Sequence, residues 1–272
     1  MRITFNKMHG LGNDFVILDA RQVPLPRIGS IQAKALADRK TGIGCDQLIV
    51  LEPSSKADMR MRIFNADGSE VEACGNASRA VGLLHGEPVS IETTGGILNA
   101  SPVNDGIAVE MGIPQFDWDK IPLGYALDTH MMPVAWEELV NPLAVNVGNP
   151  HVVFFVDDCD AVDLTRLGPE IENDPLFPER INVNVATIES REEIRLRVWE
   201  RGVGETRACG TGACATAVAS IRRDLTQSPV AVHLTGGTLQ IEWRLDDMIV
   251  MTGQAAKSYE GSFEASDYGL VT

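Results

Sequence analysis

The sequence predicts an α+β protein that is internally duplicated, with each half a β-sheet curled around one central helix. The first observation is a repeat: MRIFNADGSEVEACGNASRA (61–80) aligns without gaps on LRVWERGVGETRACGTGACA (196–215), at an offset of 135 residues. The second is the order of elements, since in both halves short β-branched runs precede one Ala-Cys-Gly motif and one helix. Strands and long helices do not alternate regularly, which argues against a parallel α/β sheet.

The strands come first in both halves. The runs MRITF, FVILDA, QLIVLE and RMRIF are short, β-branched and bounded by turns, as strands are. A helix follows each Ala-Cys-Gly, at about 76–85 and about 211–223. The second contains TGACATAVASI, which is small or apolar nearly all the way round and therefore typical of a helix buried on every side.

The repeat continues on both sides of the cysteine motifs. Gly12-Asn13 matches Gly148-Asn149 at an offset of 136, and TTGGILN (93–99) matches LTGGTLQ (234–240) at 141. Because the matches keep the same order along the chain, we interpret the protein as two copies of one fold.

No low-complexity linker separates the copies. We expect an N-terminal half at 1–115 and a C-terminal half at 116–260. The seam is the stretch GIPQFDWDKIP (112–122), where proline interrupts the strand pattern.

Composition excludes several function classes. The net charge is −15 and the pI about 4.7, which disfavours binding to nucleic acid or to an anionic membrane. The N-terminus shows no signal-peptide pattern, and no apolar run approaches the roughly 18 residues of a membrane span. We expect a cytoplasmic protein with a small-molecule substrate.

The cysteines are odd in number and irregularly spaced: Cys45, Cys74, Cys159, Cys209 and Cys214. Without a secretion signal this pattern predicts reduced thiols rather than a disulfide framework. No CxxC or HExxH motif occurs, so we expect no metal site.

Cys74 and Cys209 occupy equivalent positions of the repeat, each directly before a glycine and a helix. A helix N-terminus favours a thiolate. One interpretation is a pair of buried or disulfide-competent cysteines, and another is an acid and a base on opposite faces of one carbon. In the second case, the N–H groups at Gly75-Asn76 and Gly210-Thr211 can bind a carboxylate.

Four stretches carry a family resemblance: HGLGNDF (9–15), FNADGSEVEACGN (64–76), GNPH (148–151) and ERGVGETRACGTG (200–212). They resemble the motifs of the diaminopimelate epimerase family over essentially the whole chain. The resemblance implies a cofactor-independent epimerase that interconverts LL- and meso-2,6-diaminopimelate for lysine and peptidoglycan synthesis. It also implies a mixed sheet wrapped as a barrel around the central helix of each half, with the tail 261–272 returning to the first half.

The resemblance implies site residues at the matching positions. The catalytic cysteines are Cys74 and Cys209, and His151 and Glu200 are polar groups that support catalysis. Tyr259 matches a tyrosine at the interface of a homodimer. The substrate contacts are Asn13, Gln47, Asn65, Gly75, Asn76, Asn149, Asn182, Glu200, Arg201, Gly210 and Thr211.

The residues themselves support part of this assignment. A substrate with two amino acid ends needs a cation for its far carboxylate, and Arg201 offers a bidentate fork. In the repeat, Glu200 and Arg201 align with Asn65 and Ala66, an asymmetry that recognition of one fixed end requires. The sequence departs from the family after the first cysteine, where it reads CGNASRAVG instead of CGNGARC.

Three alternatives remain open at this point. Proline and hydroxyproline racemases share the two-cysteine plan but carry a histidine where this chain has Asn76. Isomerases of the phenazine type lack the cysteine pair. A dithiol redox protein, or a binding module without catalysis, would belong to a different class.

Overall fold

The computed structural model describes residues 1–71 and 74–270. The helices are α1 (Ser30–Ala37), α2 (Gly75–His85), α3 (Leu164–Glu172) and α4 (Gly210–Arg222), with short 3₁₀ turns at Cys159–Ala161 and Ala265–Tyr268. The strands are β1 (Arg2–Gly10), β2 (Asn13–Asp19), β3 (Gln47–Glu52), β4 (Met59–Asn65), β5 (Glu70–Val71), β6 (Val89–Thr93), β7 (Gly96–Val103), β8 (Gly106–Gly112), β9 (Ala135–Trp136), β10 (Leu139–Val140), β11 (Leu143–Asn146), β12 (Pro150–Phe155), β13 (Asn182–Ile188), β14 (Glu193–Glu200), β15 (Gly204–Thr206), β16 (Val230–Leu234), β17 (Gly237–Trp243), β18 (Ile249–Gly253) and β19 (Ala256–Glu264).

The chain divides into two compact units. One comprises Met1–Val109 together with Gly253–Thr272, and the other comprises Glu110–Thr252. In the first unit β19 pairs antiparallel with β1. The halves 1–115 and 116–260, which rest on the sequence repeat, stay a prediction.

The strand registers follow the sequence repeat. β2 and β3 are parallel with Phe15 opposite Gln47, and β12 and β13 are parallel with His151 opposite Asn182. β3–β4 and β13–β14 are antiparallel, whereas β4–β6 and β14–β16 are again parallel. Each unit therefore contains a mixed sheet, built in the same order.

The strands β2, β3, β12 and β13 are buried on both faces. In the first unit Val16 and Leu18 pack with Leu36 of α1, while fully buried Ile17 points to the opposite face. That face contacts α2, which packs against β1, β6, β7 and β19. Burial on both faces explains why β2 and β3 are near-continuous apolar runs.

The second unit repeats this layering. α3 covers one face through Leu167 and Ile171, which belong to the same hydrophobic core as Val183 and Val185. α4 is buried along almost its whole length and contacts β11, β12, β13, β14, β16 and β17. The small side chains of its sequence allow strands to approach it from several sides.

The central helices lie where the sequence places them, each beginning one residue earlier than predicted. The short outer helices α1 and α3 are additional. Their buried residues recur at spacings of three and four, as in Leu164, Leu167 and Ile171, so each is an amphipathic helix with one face on the sheet.

Candidate active site

A two-residue turn places Asn13 beside the start of α2. Leu11 and Gly12 have φ of 56° and 90°, and positive φ at both positions is what a type I′ hairpin turn requires. Asn13 pairs with Gly10 across the hairpin. A Cβ on Gly10 would lie 3.4 Å from the backbone oxygen of Asn76, so glycine allows β1 to approach the helix closely.

Cys74 is the N-cap residue of α2. Its backbone is extended, and its Sγ accepts a hydrogen bond from the N–H of Ala77 at 3.5 Å. The side chain is half-buried, and Gly75 starts the helix behind it. The thiol therefore lies at a helix N-terminus, where backbone N–H groups and the helix dipole favour an anionic form.

The predicted amide side chains of the first unit form two hydrogen-bonded pairs, one of which lies beside Cys74. Asn13 Oδ1 lies 4.0 Å from Cys74 Sγ and accepts from Asn76 Nδ2 at 3.3 Å. Gln47 and Asn65 are paired in register on β3 and β4 and are joined by a 3.1 Å hydrogen bond. Within the described part of the chain, the buried Oε1 of Gln47 has no hydrogen-bond partner, so it can accept from a ligand.

Cys209 holds the equivalent position in the second unit. It caps α4, where its Sγ accepts from the N–H of Gly212 at 3.4 Å and lies 3.6 Å from the hydroxyl of Thr211. Its side chain is 4% exposed. A Cβ on Gly212 would lie 2.9 Å from Val198 Cγ2, so the first turn of the helix, which begins at Gly210, packs directly on β14.

Glu200, at the end of β14, lies against Cys209. Its carboxylate accepts from the hydroxyl of Thr206. Burial, and next the charge of Glu200, raise the pKa of Cys209 well above its ordinary value, and burial also raises the pKa of Glu200. Cys209 is therefore a protonated thiol near neutral pH, ready to act as an acid.

His151 is fully buried in β12. Its Nδ1 accepts from Asn184 Nδ2 at 3.0 Å, so Nε2 carries the proton and donates to Asn149 Oδ1 at 2.9 Å. Burial lowers the pKa of His151 to about 3, and the Arg201 charge works in the same direction. A neutral His151 holds Asn149 in place. Its support of catalysis stays a prediction, and this geometry favours positioning over proton transfer.

Asn182 fixes the backbone at Arg201. Its Oδ1 accepts from the Arg201 N–H at 2.9 Å, and its Nδ2 donates to the Pro150 oxygen at 2.8 Å. The Arg201 side chain is exposed and donates to the Glu179 oxygen at 3.0 Å. Direct contact between Asn182 and a substrate stays a prediction.

Tyr259 lies on β19, with its side chain 49% exposed. The ring packs edge-on against Phe5 of β1, with 6.0 Å between the ring centroids.

No group of three or more His, Cys, Asp or Glu side chains within 1–71 and 74–270 is arranged to hold a metal ion. None of the helices α1 to α4 is long and apolar enough to cross a membrane.

Motif reasoning does not single out several polar residues of this site. Asn184 and Thr206 stand where the first half has Ile49 and Val71, at the repeat offset of 135. A polar residue at the position of an apolar repeat partner is the signal that could have found both. Asp46 and Arg79, which bond to the predicted amides of unit one, carry the same signal, because their repeat partners at this offset are Ile181 and Cys214.

The buried histidine makes the fold sensitive to acid. The unfolded chain binds this proton near the ordinary pKa of 6.5 and the native chain only near 3. Above pH 6.5 the imidazole is neutral in both states and does not affect stability. Below pH 6.5 its protonation in the unfolded chain lowers the free energy of unfolding by about 1.4 kcal/mol per pH unit. The double variant His151→Phe/Asn184→Ile removes the titrating group. It introduces the residue types that the first half has at the matching repeat positions, Phe15 and Ile49.

We expect the parent protein to lose about 2 kcal/mol more unfolding free energy than this double variant between pH 7 and pH 5. Urea denaturation at both pH values measures the difference. Equal losses in the two proteins would show that His151 is not the titrating group.

The sequence is similar to proteins of one known family. The profile of the family described as diaminopimelate epimerase matches residues 5–116 and 143–258. The diaminopimelate epimerase of Erythrobacter litoralis (strain HTCC2594) is 66% identical over 268 residues, which are 98% of this chain and 100% of that protein.

The fold also occurs in solved structures of other proteins. The Bacillus anthracis phenazine biosynthesis protein of the PhzF family has a TM-score of 0.68 at 18% identity, over 97% of this chain and 99% of that one. A hydroxyproline epimerase from Agrobacterium vitis, with trans-4-hydroxy-L-proline bound, has a TM-score of 0.69 at 14% identity, over 100% and 96%. At such low sequence identity these two structures are evidence for the fold alone. They confirm the predicted duplicated α+β class.

Proposed function

The chain belongs to the diaminopimelate epimerase family, and on that premise we propose that it interconverts LL- and meso-2,6-diaminopimelate without a cofactor. The reaction serves lysine and peptidoglycan precursor synthesis in the cytoplasm. One observation carries the mechanism: Cys74 and Cys209 cap equivalent helices of a duplicated fold, each with its sulfur at the helix N-terminus.

The proposed reaction is a proton exchange at one α-carbon. The thiolate of one cysteine takes the α-proton and becomes a thiol, while the thiol of the other donates a proton to the opposite face and becomes a thiolate. Atoms and charge balance, and the two cysteines have exchanged roles for the reverse direction. Because Cys209 is protonated, we assign Cys209 as the acid and Cys74 as the base in one direction of the reaction. The roles are reversed in the other direction.

The carbanion formed in this exchange needs electrostatic stabilisation. We assign the reacting carboxylate to the N–H groups at the first turns of α2 and α4, at Gly75, Asn76, Gly210 and Thr211. N–H groups in the first turn of a helix lie at the positive end of the helix dipole and are suited to binding an anion. They would stabilise negative charge as the α-proton leaves.

The far end of the substrate needs a cation and hydrogen-bond acceptors. We assign its carboxylate to Arg201, whose guanidinium is exposed and whose backbone is fixed by Asn182. The buried Oε1 of Gln47 supports a role as acceptor for an ammonium group, with Asn65 as its hydrogen-bonded neighbour. Asn149, held by His151, is the corresponding polar contact of the second unit.

Turnover with defined substrates tests the proposed function. The purified protein should convert LL-diaminopimelate to the meso isomer and exchange its α-proton with solvent deuterium. L-Proline and trans-4-hydroxy-L-proline, run beside it, should exchange no deuterium. Exchange into either imino acid but not into diaminopimelate would assign the protein to a different isomerase class.

Replacing Arg201 by lysine should impair this activity. Arg201→Lys keeps the charge but loses the planar fork that binds a carboxylate through two hydrogen bonds. We expect kcat/KM for diaminopimelate to fall by about 10- to 100-fold. Arg180→Lys, a change to an exposed arginine of the same unit, is the matched control. Parental kinetics in Arg201→Lys would remove this residue from the site.

We also propose a homodimer formed through the surface around Tyr259. Its support is a half-exposed aromatic ring on β19, anchored on Phe5. Analytical ultracentrifugation of the parent and of Tyr259→Ala measures this state.

A further inference from the structure

The first unit contains a row of side chains bonded head to tail. Asp46 Oδ2 accepts from Asn13 Nδ2 at 3.2 Å, and Asn13 Oδ1 accepts from Asn76 Nδ2 at 3.3 Å. Asn76 Oδ1 in turn accepts from Arg79 Nη2 at 2.8 Å. A carboxylate therefore ends the row on one side and a guanidinium on the other, with two amides between them.

The charged ends fix the direction of the row. A carboxylate only accepts hydrogen bonds and a guanidinium only donates them. An amide accepts at its oxygen and donates at its NH₂ group. Between these ends the two amides have one orientation that makes every bond. Asn13 must then turn its oxygen, not its NH₂ group, toward Cys74, whose Sγ lies 4.0 Å away.

Both ends are firmly held. Arg79 is fully buried within α2, and Asn76 is 4% exposed. Asp46 also accepts from the Asp14 N–H at 3.0 Å and from Arg39 Nη2 at 2.7 Å. Asp14 is bonded to buried Lys7 and to Arg39, so the loop that carries Asp46 is tied to the hairpin that carries Asn13.

We infer that Asp46 and Arg79 are positioning residues for Cys74, acting through the orientation of the Asn13 and Asn76 amides. An oxygen facing the sulfur favours the thiol, and an NH₂ group would favour the thiolate. The orientation of the row thereby influences the equilibrium between thiol and thiolate at Cys74. Its importance for turnover rests on the proposed function, but the orientation itself does not.

The row predicts a specific non-additivity. After Asp46→Ala alone, Arg79 still orients both amides, and after Arg79→Gln alone, Asp46 still does. In the double variant neither end is charged, and the Asn13–Asn76 pair can reverse as a unit. The residues at the two ends of the row should therefore be coupled in a double-mutant cycle.

Alkylation of Cys74 by iodoacetamide in the ligand-free protein, followed by peptide mass spectrometry, measures the effect. We expect each single variant to change the rate by less than about 1.5-fold and the double variant to react about threefold faster. Arg79→Lys in the Asp46→Ala background should restore the parental rate, because lysine, unlike glutamine, can only donate. Cys209, in the other unit, should keep its rate throughout.

Two results would overturn the inference. A double variant whose rate equals the product of the single effects would show that the ends are uncoupled. Faster alkylation of Cys45, Cys159 and Cys214 as well would show general opening of the protein.

Further variants keep the test decisive in two situations. Should the Arg79 variants fail to fold, Asp46→Ala and Asn76→Ala replace them, since each single leaves Asn13 one anchor and the double leaves none; the same non-additive rise is required. Alkylation does not depend on the substrate. A parent protein that fails to epimerise diaminopimelate refutes the proposed function and leaves this result standing.

Discussion

Replacing either Cys74 or Cys209 by serine is expected to reduce epimerisation by about 10²- to 10⁴-fold, because inversion needs an acid and a base on opposite faces. A serine hydroxyl is a far weaker acid and base than a thiol near neutral pH. Both residues cap helices in the same way, so both substitutions preserve the local hydrogen-bond geometry. Conversion of LL- to meso-diaminopimelate, followed by chiral chromatography, measures the loss.

The two variants should also differ from each other. Each keeps one thiol on one face, so slow exchange of the α-proton with solvent can persist for one stereochemistry only. We expect the Cys74→Ser and Cys209→Ser enzymes to prefer opposite configurations at the reacting carbon. Cys214→Ala, which removes a buried thiol from the same helix as Cys209, is the matched control. Near-parental epimerisation by either serine variant would show that one thiol suffices.

Glu200→Gln should lower kcat/KM by about 10²-fold. The substitution keeps a hydrogen-bond acceptor for Thr206 but removes the charge beside Cys209. Burial and this charge together raise the pKa of Cys209, so loss of the charge should lower it. The pH dependence of Cys209 alkylation should therefore move to lower pH in the variant.

Glu193→Gln is the control for this change, because Glu193 is an exposed carboxylate at the other end of the same strand. It should leave both turnover and the alkylation profile of Cys209 unchanged. An unshifted profile in Glu200→Gln would mean that the Glu200 charge does not act on the thiol.

The internal repeat made much of the fold predictable. The offsets of 135 and 136 that align the two cysteine motifs and the two Gly-Asn pairs also relate the strand registers of the two units. A helix small enough to be buried on all sides then required strands around it. The outer helices α1 and α3 were harder to predict, because a helix of eight or nine residues gives only two turns of periodicity.

Sequence motifs name candidate site residues, but they do not give the contacts that folding makes between distant side chains. Asn13 and Asn76 stand in recognisable motifs, whereas Asp46 reaches Asn13 only because β2 and β3 lie side by side. Asn184 meets His151 across parallel strands, at a register that a single sequence does not state. Buried polar pairs of this kind depend on tertiary contacts.

The central claim, that two thiols act on opposite faces of one carbon, is tested most directly by isotope distribution in early turnover. Pure LL-diaminopimelate is incubated in deuterium oxide, and the recovered substrate and the first meso product are separated and analysed by mass spectrometry. The account predicts deuterium at the inverted carbon of the product, delivered by a solvent-equilibrated thiol, while the recovered substrate still carries protium. Protium retained in the product together with deuterium in the recovered substrate would point to a single base serving both faces, and would contradict the account.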